Sequence, residues 1–150
     1  MRKKAIIVLG MGIALAGVAA AAVDARRAIP QRQAHMKEMG RLSKAINDGL
    51  RAGSQAVTFK KEADRLAALA AGLPGWFPAG TGPEAGVKTA AKPDIWAKGR
   101  DFSTKASALA VATRGLAGAA RSGEQSAFER QVGQVGQACK ACHTIYKTKS

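Results

Sequence analysis

Apolar residues recur at alternating spacings of three and four along four stretches of this chain, the period of one helix face and not of a strand. Met36, Met39, Ser43, Ile46 and Leu50 mark the first stretch. Pro30 suits its opening turn and Gly53 its stop. A second helix is predicted from about Gln55 to Gly72, with Val57, Ala63, Leu66, Leu69 and Ala70 turned inward. Phe102, Ala106, Leu109, Thr113 and Leu116 mark a third. The fourth carries Phe128, Val132, Val135, Cys139, Cys142 and Tyr146 at heptad-like spacing, behind a capping box that Ser122 and Gln125 can form. No run alternates apolar and polar residues as a half-buried strand would.

Four of the five prolines and four glycines fall in "PGWFPAGTGPEAGVKTAAKP", residues 74–93. That stretch cannot be continuous helix or a central strand. It separates two helical pairs, so the fold expected is all-α: an antiparallel four-helix bundle with a long Pro/Gly-rich loop between helices 2 and 3. The seams are rich in alanine and poor in bulky side chains, which leaves room in the core for something other than protein.

Length and charge add an address. The 150 residues allow one domain. Arg2, Lys3 and Lys4 precede an apolar run from Ala5 to Val23, then small residues follow, the layout of a secretory signal peptide. A leader of residues 1–25, cleaved near residue 22 or 25, is expected ahead of an uncleaved anchor, because the run is mostly Ala and Gly although it approaches a span of roughly 20 residues. The domain is then 26–150, exported to a periplasm, with no stable membrane insertion after cleavage. Losing Arg2, Lys3, Lys4 and Asp24 takes the formal charge from +14 to +12. Export and the dispersion of basic residues argue against nucleic acid. A solvated surface accounts for the charge, with steering toward acidic partners as its consequence.

The chain has two cysteines and two histidines, and "CKACH", Cys139 to His143, holds both thiols and one imidazole. A disulfide between positions three apart on a helix fits disulfide geometry poorly. A structural zinc site needs four ligands, and a redox C-x-x-C follows a strand at a helix start. C-x-x-C-H is instead the attachment signature of c-type haem. Two thiols add across two vinyl groups and the next imidazole binds iron. On a helix His143 lies about 40° to one side of Cys139, and Cys142 about 60° to the other. All three project from the face that carries Val132 and Val135.

The motif at the end of the last helix of an exported four-helix bundle, together with "RQAHM", "FPAGTGPE", "IWAKGRDF" and "GQACKACHTIYK", resembles the class II cytochromes c, which comprise cytochromes c′ and their low-spin, methionine-ligated relatives. The resemblance implies one haem c held by thioethers at Cys139 and Cys142, with His143 as proximal iron ligand. It implies a haem propionate near Arg32, with Gln33 beside it, and an aromatic contact from Trp96. Met36 falls at the family's distal position. The "FPAGTGPE" and "IW" segments look closer to the methionine-ligated relatives, which implies a low-spin haem with a weak, displaceable bond from Met36 sulfur to iron. Lys147 stands where relatives often carry Arg, and His35 is expected at the surface. Relatives commonly dimerise through their first two helices, so the resemblance leaves a homodimer through helices 1 and 2 open for this chain.

The function expected is electron carriage between redox partner proteins. The alternative is a five-coordinate haem that binds nitric oxide or carbon monoxide. No Ser/His/Asp set, carboxylate pair or distal acid–base group marks an enzyme.

Overall fold

In the computed structural model, which describes residues 24–149, the first helix starts at Asp24 and not at Pro30. The Asp24 side chain accepts a hydrogen bond from the Arg26 amide at 3.0 Å, and α1 then runs Ala25–Arg51 with Pro30 inside it. The carboxylate cap is the stronger start signal, because it satisfies an amide that the helix leaves unpaired. The leader expected over residues 1–25 lies outside the described residues but for Asp24 and Ala25.

Gly53 adopts a left-handed conformation (φ +83°) that stops α1. A single 3₁₀ turn, Ala56–Phe59, leads into α2, Lys60–Gly72. Three residues per turn instead of 3.6 change which side chains face inward. Ala56 and Phe59 are buried, while Val57, expected inside, is 47% exposed. Ala63, Leu66, Leu69 and Ala70 are buried as the periodicity requires.

The Pro/Gly-rich segment contains 3₁₀ turns at Leu73–Trp76 and Pro83–Ala85, then a one-turn helix α3, Asp94–Ala97. Helix α4 spans Gly99–Ser122 and buries all five residues of its predicted stripe. Helix α5 spans Gln125–Tyr146. The capping box between them does not form. Ser122 is the last residue of α4, and Gln125 turns away to accept a 2.8 Å hydrogen bond from the Ala56 amide. The buried start of the 3₁₀ turn needs an acceptor, and Gln125 supplies it.

The four long helices, α1, α2, α4 and α5, form an antiparallel four-helix bundle, the fold read from the periodicity. Helix α4 packs along both α2 and α5, whereas α1 meets α2 only moderately and α5 hardly at all. One hydrophobic core joins Ile46, Leu66, Leu109 and Leu116 to Phe128, whose ring stacks on Phe59 at 5.7 Å. Burial of each such side chain contributes about 1.5–3 kcal/mol. Gly49 lets α1 come close there, since a Cβ at that position would sit 2.4 Å from the Phe59 ring. On the outside, Arg65 of α2 holds Glu38 of α1 through two bonds of 2.8 and 2.9 Å. An exposed pair of this kind adds little stability. Helix α1 is therefore the lightly held wall of the bundle.

Candidate functional site

Between α1 and α5, where the two helices scarcely touch, lies a cavity of about 660 Å³. That is within the range of roughly 300–1,000 Å³ that encloses a cofactor-sized ligand. Helix α5 contributes Val132, Val135, Cys139, Cys142, His143 and Tyr146. Helix α1 contributes Arg32, Gln33, Met36, Met39, Ser43 and Ile46. The heptad-like spacing of α5 explains the first set and the three-four spacing of α1 the second.

The donors stand on one helix face. Cys139 and Cys142 are half-buried and not joined to each other. Burial raises the pKa of both thiols, and for Cys142 the neighbouring Cys139 adds to the effect. Both are therefore neutral thiols at neutral pH. His143 lies exposed at the margin of the cavity. Partial burial, then the Lys147 ammonium, lowers its pKa below the ordinary histidine value. A neutral imidazole keeps a lone pair for a metal. No cluster of three or more His, Cys, Asp or Glu that could hold a metal ion occurs among the described residues. The donor set thus suits a metal that arrives inside its own macrocycle.

Arg32 is 3% exposed and has no ion-pair partner among the described residues. Its guanidinium donates to the Thr81 hydroxyl at 2.9 Å, the Thr81 carbonyl at 2.7 Å and the Thr89 hydroxyl at 2.9 Å. It also lies 4.8 Å from the centre of the Phe77 ring. Burial lowers its pKa, and Glu84 opposes that shift. A buried cation without a paired anion fits an anionic group at this end of the cavity. Gln33 donates to the Lys88 carbonyl at 2.9 Å. The lining includes Arg32, Lys37 and Lys147, with no carboxylate among the described residues. The residues present fit a haem: two thiols, one neutral imidazole, a large apolar cavity and an unpaired buried cation.

Trp96 does not line the cavity. Its indole N–H is shared between the Phe77 and Pro78 carbonyls at 3.1 Å each, and its ring meets the edge of Phe77. Phe77 takes the place at the cavity wall, backed by Phe102, and Phe102 by Tyr146. The Tyr146 hydroxyl donates to Asp101, and burial together with that bond pushes its pKa to about 12. His35 stacks on Trp76 at 4.7 Å, away from the cavity.

Phe77, Thr81 and Thr89 were not legible as site residues. They sit in the aperiodic loop, where neither spacing nor residue type distinguishes them from turn filler.

A family model described as cytochrome c′ matches residues 27–147. The cytochrome c′ of Allochromatium vinosum is 32% identical over 143 residues, 94% of this chain and 92% of that protein. The crystal structure of cytochrome c′ from Thermochromatium tepidum superposes with a TM-score of 0.78 at 32% identity, covering 85% of this chain and 98% of that one. A ferrous variant of cytochrome c prime from Alcaligenes xylosoxidans, solved with bound NO, superposes at 0.76 with 26% identity, over 85% of this chain and 98% of that one.

Proposed function

Because this chain belongs to the cytochrome c′ family, we propose that it is a periplasmic haem protein that binds nitric oxide or carbon monoxide. Cys139 and Cys142 would hold haem c covalently, His143 would be the proximal ligand, and Arg32 with Gln33 would stand toward its propionates. Bound there, the iron would supply an open coordination position and a ferrous–ferric couple.

One observation carries this reading. Around Met36 the α1 wall presents the Met36 and Met39 thioethers, the Ser43 hydroxyl and aliphatic carbon, with Arg32, Gln33, Lys37 and Asn47 as its other polar groups, and His143 is the only imidazole lining the cavity among the described residues. Such a wall offers no imidazole or carboxylate to move a proton. Neutral diatomic gases need neither, so polarity and access select for them. The relative solved with bound NO supports the same reading.

Electron carriage is the second reading, and Met36 is what favours it. A thioether bonded to iron would raise the potential and close the open position. Absorption spectra of the ferric and ferrous protein, with and without carbon monoxide, separate the two. A five-coordinate, high-spin ferrous form that shifts on adding the gas is expected. A low-spin form in both redox states, unmoved by carbon monoxide, would restore electron carriage to first place.

The leader and assembly follow from the same family reading. Cleavage after Ala22 keeps the Asp24 cap of α1, whereas cleavage after Ala25 removes it. We therefore expect a mature chain that begins at Val23 and pairs as a homodimer through α1 and α2. Intact mass and sedimentation of protein recovered from the periplasm check both. A start at Met1 in membrane fractions, or a single copy per particle, would count against them.

A further inference from the structure

Helix α1 carries Met36, helix α5 carries His143, and the two scarcely touch. Something else must set their separation. The end of the long loop touches both. The Thr89 hydroxyl accepts from Arg32 of α1 at 2.9 Å and from the Ala91 amide at 3.1 Å. Three residues after Thr89, the Lys92 amide donates to the Tyr146 carbonyl at 2.9 Å, and the Thr148 amide donates to the Ala90 carbonyl at 2.9 Å. These bonds close an antiparallel bridge between Ala91 and Lys147. The four residues Thr89–Lys92 therefore tie α1 to the end of α5.

The two anchors stand next to the two functional positions. Arg32 is one helical turn before Met36, and both line the cavity. Tyr146 is one turn after Cys142 and three residues after His143. A second set of bonds holds Arg32 in place. Thr81 is fully buried, receives two Arg32 hydrogen bonds, and donates its own hydroxyl to the Pro78 carbonyl at 2.7 Å. The planar guanidinium fork makes this grip rigid in a way that a single ammonium cannot.

We propose that Arg32 and Thr89 are positioning residues: by tying α1 to the end of α5, they set how closely Met36 approaches the iron and so how fast a gas enters. The proposal rests on the haem assignment given above. It goes beyond that assignment in giving ligand access to a loop contact and not to Met36 alone.

The test uses the haem-loaded protein and Thr89→Val, which keeps the shape and removes the acceptor, with Thr89→Ser as the conservative control. Thr89→Val is expected to speed amide hydrogen exchange at Lys92 and Thr148 about fivefold or more. It is also expected to raise the carbon monoxide association rate by about threefold or more, because α1 is freed to withdraw. Thr89→Ser should behave as the parent chain. If the parent iron proves low-spin with Met36 bonded, the same substitution should weaken the low-spin band, so failure of the gas-binding reading does not hide the result. Faster exchange with neither rate nor spectrum altered would make the tie purely structural and overturn the proposal. Should Thr89→Val fail to accumulate, Arg32→Lys carries the same test, since one ammonium cannot hold Thr81 and Thr89 together. An Arg32→Lys protein with parental rate and spectrum would likewise overturn it.

Discussion

A chain with Cys139→Ala and Cys142→Ala together will give up its haem to acidified organic solvent, whereas the parent chain will keep it in the protein phase. Loss of nearly all covalent pigment is the largest effect expected of any substitution here. The reason lies in α5: both thiols line one cavity from one helix face, and no other cysteine exists to substitute for them. Each single variant should retain one thioether and an intermediate yield. His143→Ala should leave the pigment attached but change the iron spectrum, because the imidazole and the thiols do separate work. Pigment retained by the double variant, or a parent chain with two titratable thiols, would remove the covalent assignment. An iron spectrum untouched by His143→Ala would remove the ligand assignment.

Met36→Ala will speed binding of carbon monoxide to the ferrous protein by about tenfold to a hundredfold. Met36 packs partly buried against the core cluster on the wall opposite His143. If a ligand must displace a packed side chain, relieving about 1–3 kcal/mol of crowding is the scale known for overfilled cores. Each 1.36 kcal/mol is a factor of ten in rate. Met36→Leu, close in volume, should change the rate far less and leave the spin state as it was. A parent protein that is low-spin and turns high-spin in Met36→Leu would show a sulfur–iron bond instead. That outcome would revive the expectation drawn from the "FPAGTGPE" and "IW" segments and move electron carriage ahead.

The four-helix architecture was legible because each long helix has one apolar stripe, and a stripe is a local property that spacing alone reveals. Phe102, Leu109 and Leu116 on α4, or Phe128 and Val135 on α5, are buried where their spacing puts them. Errors occurred where local signals compete. Pro30 and Asp24 both mark helix starts, and the cap prevailed. Val57 was misplaced because a 3₁₀ turn has a different period from the helix it leads into. Gln125 left its expected box to serve an amide 69 residues away, a demand that no local pattern records.

The cofactor chemistry was written in five consecutive residues, since thiol, thiol and imidazole spacing along one helix turn determines what they can hold together. The fold class, the cavity-facing register of α1 and α5, and the candidate ligand His143 follow from the sequence in the same way, whereas Met36 as a candidate ligand rests on the family resemblance. Tertiary structure alone decided where the long loop goes. Thr81, Thr89 and Phe77 acquire a role only when the loop crosses from α1 to α5, and the bonds from Arg32 to Thr81 and Thr89 join residues 49 and 57 positions apart. Trp96 was set behind Phe77 by the same crossing. Periodicity reports which side of an element is buried, but it carries no information about which distant backbone carbonyl a buried cation will meet. That depends on how the loop closes, and only the folded chain settles it.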